Sequence, residues 1–261
     1  MHSGTSRSDA AETRRATRLL TLCALMLAAG SAPAQGGPPL VTDDPETPGD
    51  GKWEINVGAI ATHTRGRWEI AAPDADINYG WGDRVQLKLD VPRVTARDDG
   101  QHWKSGAGEG NAGVKWRFID QEHAGFSLST YPQYSRSVLD SSTRRGITGP
   151  GHQFFLPIEL STEVDGMGVA VEVGRNFVSG AGQNQWVAGI VAAHGCGDGV
   201  ECMVELHETQ SPREHLTLLN FGTRWKLDES ATLLAAAGRE FGTRSDERRQ
   251  ALIYLGVQFT R

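Results

Sequence analysis

The chain has 261 residues, with 26 Lys and Arg against 32 Asp and Glu, a formal charge of −6. An acidic balance argues against a nucleic-acid partner, which needs a concentrated basic face. Mean hydropathy is −0.39, and past the first 34 residues no apolar run approaches the ~20 residues of a membrane helix. Any membrane crossing must therefore be made by strands, which need lipid-facing residues only at alternate positions.

The N-terminus reads as an export signal. Arg14, Arg15 and Arg18 close a basic region, the apolar run from Leu19 to Ala29 is too short to span a bilayer, and Ala32-Pro33-Ala34 supplies a small-x-small cleavage site. A cleaved signal peptide is predicted over 1–34. Its removal takes away four basic and two acidic residues, moving the charge from −6 to −8. Residues 35–51 follow, with Pro38, Pro39, Pro45 and Pro48 among Asp43, Asp44, Glu46 and Asp50. This composition predicts an irregular, extended lead-in.

From Lys52 onward the period is two. Trp53, Ile55 and Val57 alternate with Glu54, Asn56 and Gly58; Val85, Leu87 and Leu89 with Arg84, Gln86 and Lys88; Val114 and Trp116 with Lys115 and Arg117. Val169, Val171 and Val173 continue the pattern, as do Leu219 and Phe221, then Ile253, Leu255, Val257 and Phe259. Such alternation marks strands. About twelve are predicted, starting near 52, 67, 84, 108, 125, 152, 168, 185, 202, 214, 231 and 249. Even-numbered connections are mostly tight, whereas the two longest loops, around 98–107 and 138–151, fall among the odd ones. Trp53, Tyr79, Trp116, Phe118, Phe126, Trp225 and Phe259 collect near the short-turn end, Trp68 and Trp186 near the other. Both features fit an all-β, antiparallel up-and-down transmembrane barrel over 52–261, with aromatic girdles and both termini in the periplasm. Strand twelve should pair with strand one. Against this, alternation slips at Ala72-Pro73-Asp74, and Pro132 and Pro157 fall inside strand windows, so bulges are needed there. An exported β-sandwich is the soluble alternative.

No catalytic, cofactor or metal site is predicted. Gly108 to Gly113 matches GxGxxG, but a strand pattern follows where a dinucleotide site needs a helix. His207-Glu208 begins an HExxH whose second His position is Ser211. Cys196 and Cys202 flank a turn-like stretch and suit a disulfide in an oxidising periplasm better than a metal site. The informative pattern is a charged inward ladder, with lumen-lining candidates Glu54, Arg84, Lys88, Asp90, Lys115, Arg117, Glu159, Glu172 and Arg224. Arg84, Lys88, Lys115 and Arg117 are expected to meet acids such as Glu54 and Asp90. Mixed charge of this kind either ties the wall together or lines a narrow wet path.

Pro38 to Pro45 followed by Gly51-Lys52-Trp53-Glu54, then Ile77 to Lys88 and Gly113 to Phe118, resemble segments of a Gram-negative outer-membrane family. Its members are described as transporters of the meta-pathway of phenol degradation. The resemblance covers roughly the first half. It implies a meander barrel in the outer membrane and passage of aromatic or other small hydrophobic compounds. The reading is a passive channel for a small solute, surrounded by outer-membrane lipid and assembled by the outer-membrane insertion machinery. The alternatives are an outer-membrane lipid hydrolase and a closed structural barrel whose loops bind a partner.

Overall fold

The computed structural model describes residues 36–180 and 183–261; the predicted signal peptide lies outside them. Twelve antiparallel strands form one closed sheet. They are β1 (Trp53–Thr64), β2 (Arg67–Trp81), β3 (Val85–Asp90 continuing as Arg93–Asp98), β4 (Lys104–Ala107 continuing as Glu109–Ile119) and β5 (Phe126–Thr130 continuing as Gln133–Ser137). After them come β6 (His152–Val164), β7 (Met167–Val178), β8 (Gln185–Gly197), β9 (Val200–Gln210), β10 (His215–Lys226), β11 (Ala231–Gly242) and β12 (Ala251–Thr260). Two short helices, α1 (Gln121–Ala124) and α2 (Asp140–Arg144), sit in connections at opposite ends. Each strand pairs with its neighbour in sequence, and β12 closes on β1 from Glu54↔Thr260 to His63↔Ala251. The meander and its closure match the sequence expectation.

Alternation decides which face each side chain takes. Leu89, Trp116, Ile158, Ile190, Leu206, Phe221 and Leu255 are exposed on the outer wall, while their neighbours Lys115, Glu159, Glu205, Asn220 and Tyr254 are buried inside. A soluble sandwich would turn the apolar residues inward; here the order is reversed, as lipid requires. Among the described residues no helix is long and apolar enough to cross a membrane.

The irregular points fall at the prolines. Ala72 and Pro73 lie at the shift of register between Asp74↔Gly58 and Ala71↔Ile60. This bulge flips the side-chain parity of β2, which accounts for the slip in its sequence pattern. Pro92 and Pro132 stand in the breaks of β3 and β5, while Pro157 stays in the ladder opposite Gly174. The expected long loop around 98–107 is shorter than predicted, because Lys104–Ala107 pairs with Arg93–Ala96 and extends the hairpin.

The loop 138–151 folds back onto the inner wall. Ile147, 3% exposed, packs on Val94 and Ala96. Arg67 fixes it by donating from Nη1 to the Gly146 carbonyl (3.2 Å) and from Nη2 to the Ile147 carbonyl (3.2 Å), while pairing with Glu69 and Asp98.

The facing assignment is open to measurement. Leu255→Arg, at the middle of β12 on the outer face, is expected to cost about 2–4 kcal/mol of unfolding free energy in phosphatidylcholine vesicles. Lys226→Leu at the rim should be near neutral. Equal, small effects at both sites would contradict the outer-face assignment.

Candidate functional site

The lumen is not empty. Twelve strands enclose more space than inward side chains fill, and the lead-in occupies it. The chain passes from Gly36, beside Arg224 near the short-turn end of β10, up to a tight turn at Gly37–Thr42. It then returns past Asp43, Asp44 and Glu46 to Asp50, whose carboxylate accepts the Gly82 amide (2.9 Å) in the β2–β3 turn. Its described part is a finger whose tip lies inside the barrel and whose following limb leaves by the short-turn mouth.

The inner wall has two faces, and the finger matches both. Ala170, Val191, Ala193, Met203, Leu234 and Ala236 form an apolar face, with Leu40 of the finger in the same cluster. Gly222 and Gly189 provide the clearance: a Cβ on Gly222 would lie 2.8 Å from Leu40 Cδ2, and one on Gly189 would collide with the Thr42 side chain. The opposite face is polar. There Lys115, 2% exposed at its side chain, pairs with Asp43 (2.8 Å) and Glu159 (3.6 Å) and donates to the Asp44 carbonyl. Arg117 pairs with Glu46 (2.6 Å) and with Asp120 (3.3 Å).

Backbone groups of the finger are also satisfied by the wall. Glu205, wholly buried, accepts the Val41 amide (3.0 Å) and the Thr42 amide (2.5 Å), and Asn220 Nδ2 donates to its second oxygen (3.0 Å). Arg224 donates to the carbonyls of Gly36 (2.6 Å) and Pro38 (2.8 Å). Thr42 Oγ1 meets His207 Nδ1 at 3.3 Å. Hydrogen bonds to charged groups contribute roughly 1.5–3 kcal/mol each when desolvated, so this set fixes the finger firmly without any covalent link.

Above the finger, toward the long-loop end, lies a vestibule of about 420 Å³. Pro38, Pro39 and Leu40 belong to its lining, together with Phe155, Leu252, Tyr254 and a group of acids.

Of the lumen candidates, Lys88, Asp90 and Glu172 line the vestibule, and Glu54 and Lys115 line a smaller space beside the finger. Glu159, Arg117 and Arg224 are engaged as described. Arg84 is different: it stands exposed in the turn before β3, where its carbonyl accepts the Arg117 amide. The expected partners also differ. Lys88 pairs with Asp76 (3.4 Å), and Lys115 and Arg117 pair with Asp43 and Glu46 of the finger and with Glu159 and Asp120 of the barrel, while Glu54 and Asp90 line the lumen without pairing with them. Glu205, Asp76, Asn56 and Tyr131 are buried participants that the charge ladder missed or left out of the site; their inward parity was the available signal. Cys196 and Cys202 are joined by a disulfide across the Asp198-Gly199 turn, with Cα atoms 5.8 Å apart. Cys196 falls at the register shift between Gly195 and Gly197.

Histidine contacts among the described residues join His207 to Thr42, His215 to Glu208 and His194 to the Gly166 carbonyl; none of these brings a serine hydroxyl to an imidazole.

These features define a closed transmembrane-type barrel with an internal plug, and solved structures of that class resemble it. No protein-family model matches the chain, and no curated protein matches it. The COG4313 outer membrane channel from Pseudomonas putida F1 superposes with a TM-score of 0.65 at 12% identity, covering 85% of this chain and 99% of that one. The KdgM porin gives 0.54 at 10% identity over 79% and 98%, and the NanC porin 0.52 at 10% over 78% and 98%. At such identities the likeness establishes the fold: an outer-membrane β-barrel.

The finger's acids give its seat a pH dependence. Burial raises the Asp44 carboxyl, helped by the charges of Asp43 and Glu46 against Lys115, to about 6. Burial acts the same way on Asp43, but Lys115 and Lys88 outweigh it and hold this carboxyl below the ordinary value of 3.8. A raised carboxyl stabilises the seat at low pH and loses that contribution as pH climbs through 6; a lowered one loses it as pH falls through its own depressed value. The seat is therefore firmest near the ordinary Asp value and weakens as pH climbs from there through about 6. A spin label on V41C should be less mobile at pH 5 than at pH 8, and Asp44→Asn should abolish the difference. A label equally mobile at both values would refute the assignment.

Proposed function

We propose that the chain is a passive outer-membrane channel for small solutes, held shut by its own lead-in. The observation that carries this reading is the pairing of an open vestibule with a non-covalent plug. The finger is bound by side chains that can release it one at a time, and its C-terminal limb leaves by the short-turn mouth. A lumen built only for strength needs no such removable part.

The orientation follows the loop asymmetry, with the short turns and the finger on the periplasmic side and the loop 138–151 outside. Lipid surrounds the apolar belt, and the outer-membrane insertion machinery assembles it. Resemblance to the phenol meta-pathway transporters supports aromatic or other small hydrophobic compounds as solutes. The neighbouring structures are channels and porins, which supports a non-enzymatic role.

The filled periplasmic half favours one other reading, a closed structural barrel. Conductance separates the two. In planar bilayers the wild type should show small, infrequent openings. Arg224→Ala combined with Glu205→Ala removes fixings at two levels of the finger, and it should raise open-channel conductance several-fold. If neither protein conducts, and vesicles containing them take up small aromatic solutes no faster than protein-free vesicles, the channel reading fails.

A further inference from the structure

The vestibule is unevenly charged. Asp74, Asp76, Asp90 and Glu172 line it, and Lys88 is the basic residue among its lining. That single ammonium lies 3.4 Å from Asp76. Among the described residues Asp74 and Asp90 have no ion pair, and their carboxyl groups face one another.

A second feature points into the same space. Asn56 is 1% exposed and lines the vestibule. Its Nδ2 donates to Asp76 (3.3 Å) and to Glu54 (3.3 Å), whereas its Oδ1 has no hydrogen-bond partner. Asp90 Oδ1 is in the same position. A buried amide oxygen without a donor costs roughly 1–3 kcal/mol, and this one sits beside the Asp76 and Glu54 carboxylates, which take hydrogen bonds from the same side chain's Nδ2 and offer it none. What the group needs is a ligand with several N–H bonds and a positive charge.

The rest of the cavity selects among cations. A small divalent ion would have to approach within Coulombic reach of the Lys88 ammonium, and the donor oxygens are spread over three strands. An organic ammonium meets the acids with its head and leaves its body to the apolar residues of the same space, Pro39 and Leu40 of the finger, Phe155 and Leu252, which stand among polar ones such as Asn176, Gln185 and Thr209. The volume, about 420 Å³, falls within the range of small-molecule sites.

We infer that the vestibule is a binding site for small organic cations, an ammonium head held by Asp74, Asp90 and Asn56 and an aromatic or aliphatic body laid over the tip of the finger. This deepens the channel reading and rests on it for the solute's destination, though not for its binding.

The test is calorimetric titration of the folded protein in detergent at pH 7.5 with 2-phenylethylamine, charged, and 2-phenylethanol, its neutral counterpart. The amine should bind at least roughly tenfold more tightly, one charge-assisted hydrogen bond's worth of discrimination. Asp74→Asn and Asp90→Asn, each checked for the heat-dependent gel shift of a folded barrel, should reduce the preference to about twofold or less. The wild-type comparison stands even if a variant does not fold. Equal affinity for the two probes overturns the inference, as does a preference that survives both substitutions. Magnesium that binds and is not displaced by the amine also overturns it, in favour of a metal site. A clear preference without vesicle uptake would keep the binding site and sink the channel; uptake indifferent to solute charge, with no preference in binding, would do the reverse.

Discussion

Closure of β12 on β1 is the constraint from which the rest follows. In hydrocarbon an unpaired strand edge leaves its amide and carbonyl groups without partners, and the ten Cα pairs from Glu54↔Thr260 to His63↔Ala251 remove that edge. Closing a sheet of this many strands fixes a minimum circumference. Inward side chains such as Tyr131 and Tyr254 reach far into the enclosed space and still do not fill it. Inward charges deep in the wall, such as Lys115 and Glu159, are then cut off from bulk water.

The finger resolves that shortage. Lys115 and Arg117 on β4 would otherwise be cations in a narrow, poorly hydrated space, and breaking one partner away from a buried pair costs about 3–5 kcal/mol. Asp43 and Glu46 meet them. On the far wall the finger offers Leu40 to an apolar patch instead, and its bare amides go to Glu205. Its seat thus depends on the two-faced character of the wall, which itself comes from the choice of inward residues on β3–β6 against β7–β12.

Much of this was legible in the sequence, because period-two alternation with a lipid-suited face has one interpretation. Val85-Gln86-Leu87-Lys88 and Val114-Lys115-Trp116-Arg117 point as their alternation predicts. The strand starts agree with the pattern to within a few residues. What could not be read was how the lumen charges pair. Nothing local links Lys115 to Asp43, 72 residues earlier; their meeting depends on where the lead-in goes after the barrel has closed. Arg84 stands at the rim for a different reason: alternation continues through the Gly82–Arg84 turn, where the carbonyl still takes the Arg117 amide but the side chain is exposed. The acids of the lead-in, Asp43, Asp44 and Glu46, were the trace of the plug, legible only beside the basic members of the inward ladder. The glycines at 189 and 222 were its mould, and a glycine in a strand says only that something approaches closely.

The finger is held at successive points along the chain, first Gly36 and Pro38 by Arg224 and then Val41 and Thr42 by Glu205, and this order sets how it would yield to a pull. A force on Gly36, directed out of the short-turn mouth, loads the Arg224 contacts first. Only when these have gone does it reach the Glu205 contacts at the tip, so the bonds fail in series, as in peeling tape. A plug threaded straight through the barrel would present all its contacts to the load together and resist by shear. A pull on the chain at its N-terminal side would therefore need to overcome a few hydrogen bonds at a time, and the limb anchored at Asp50 would act as a leash that brings the finger back.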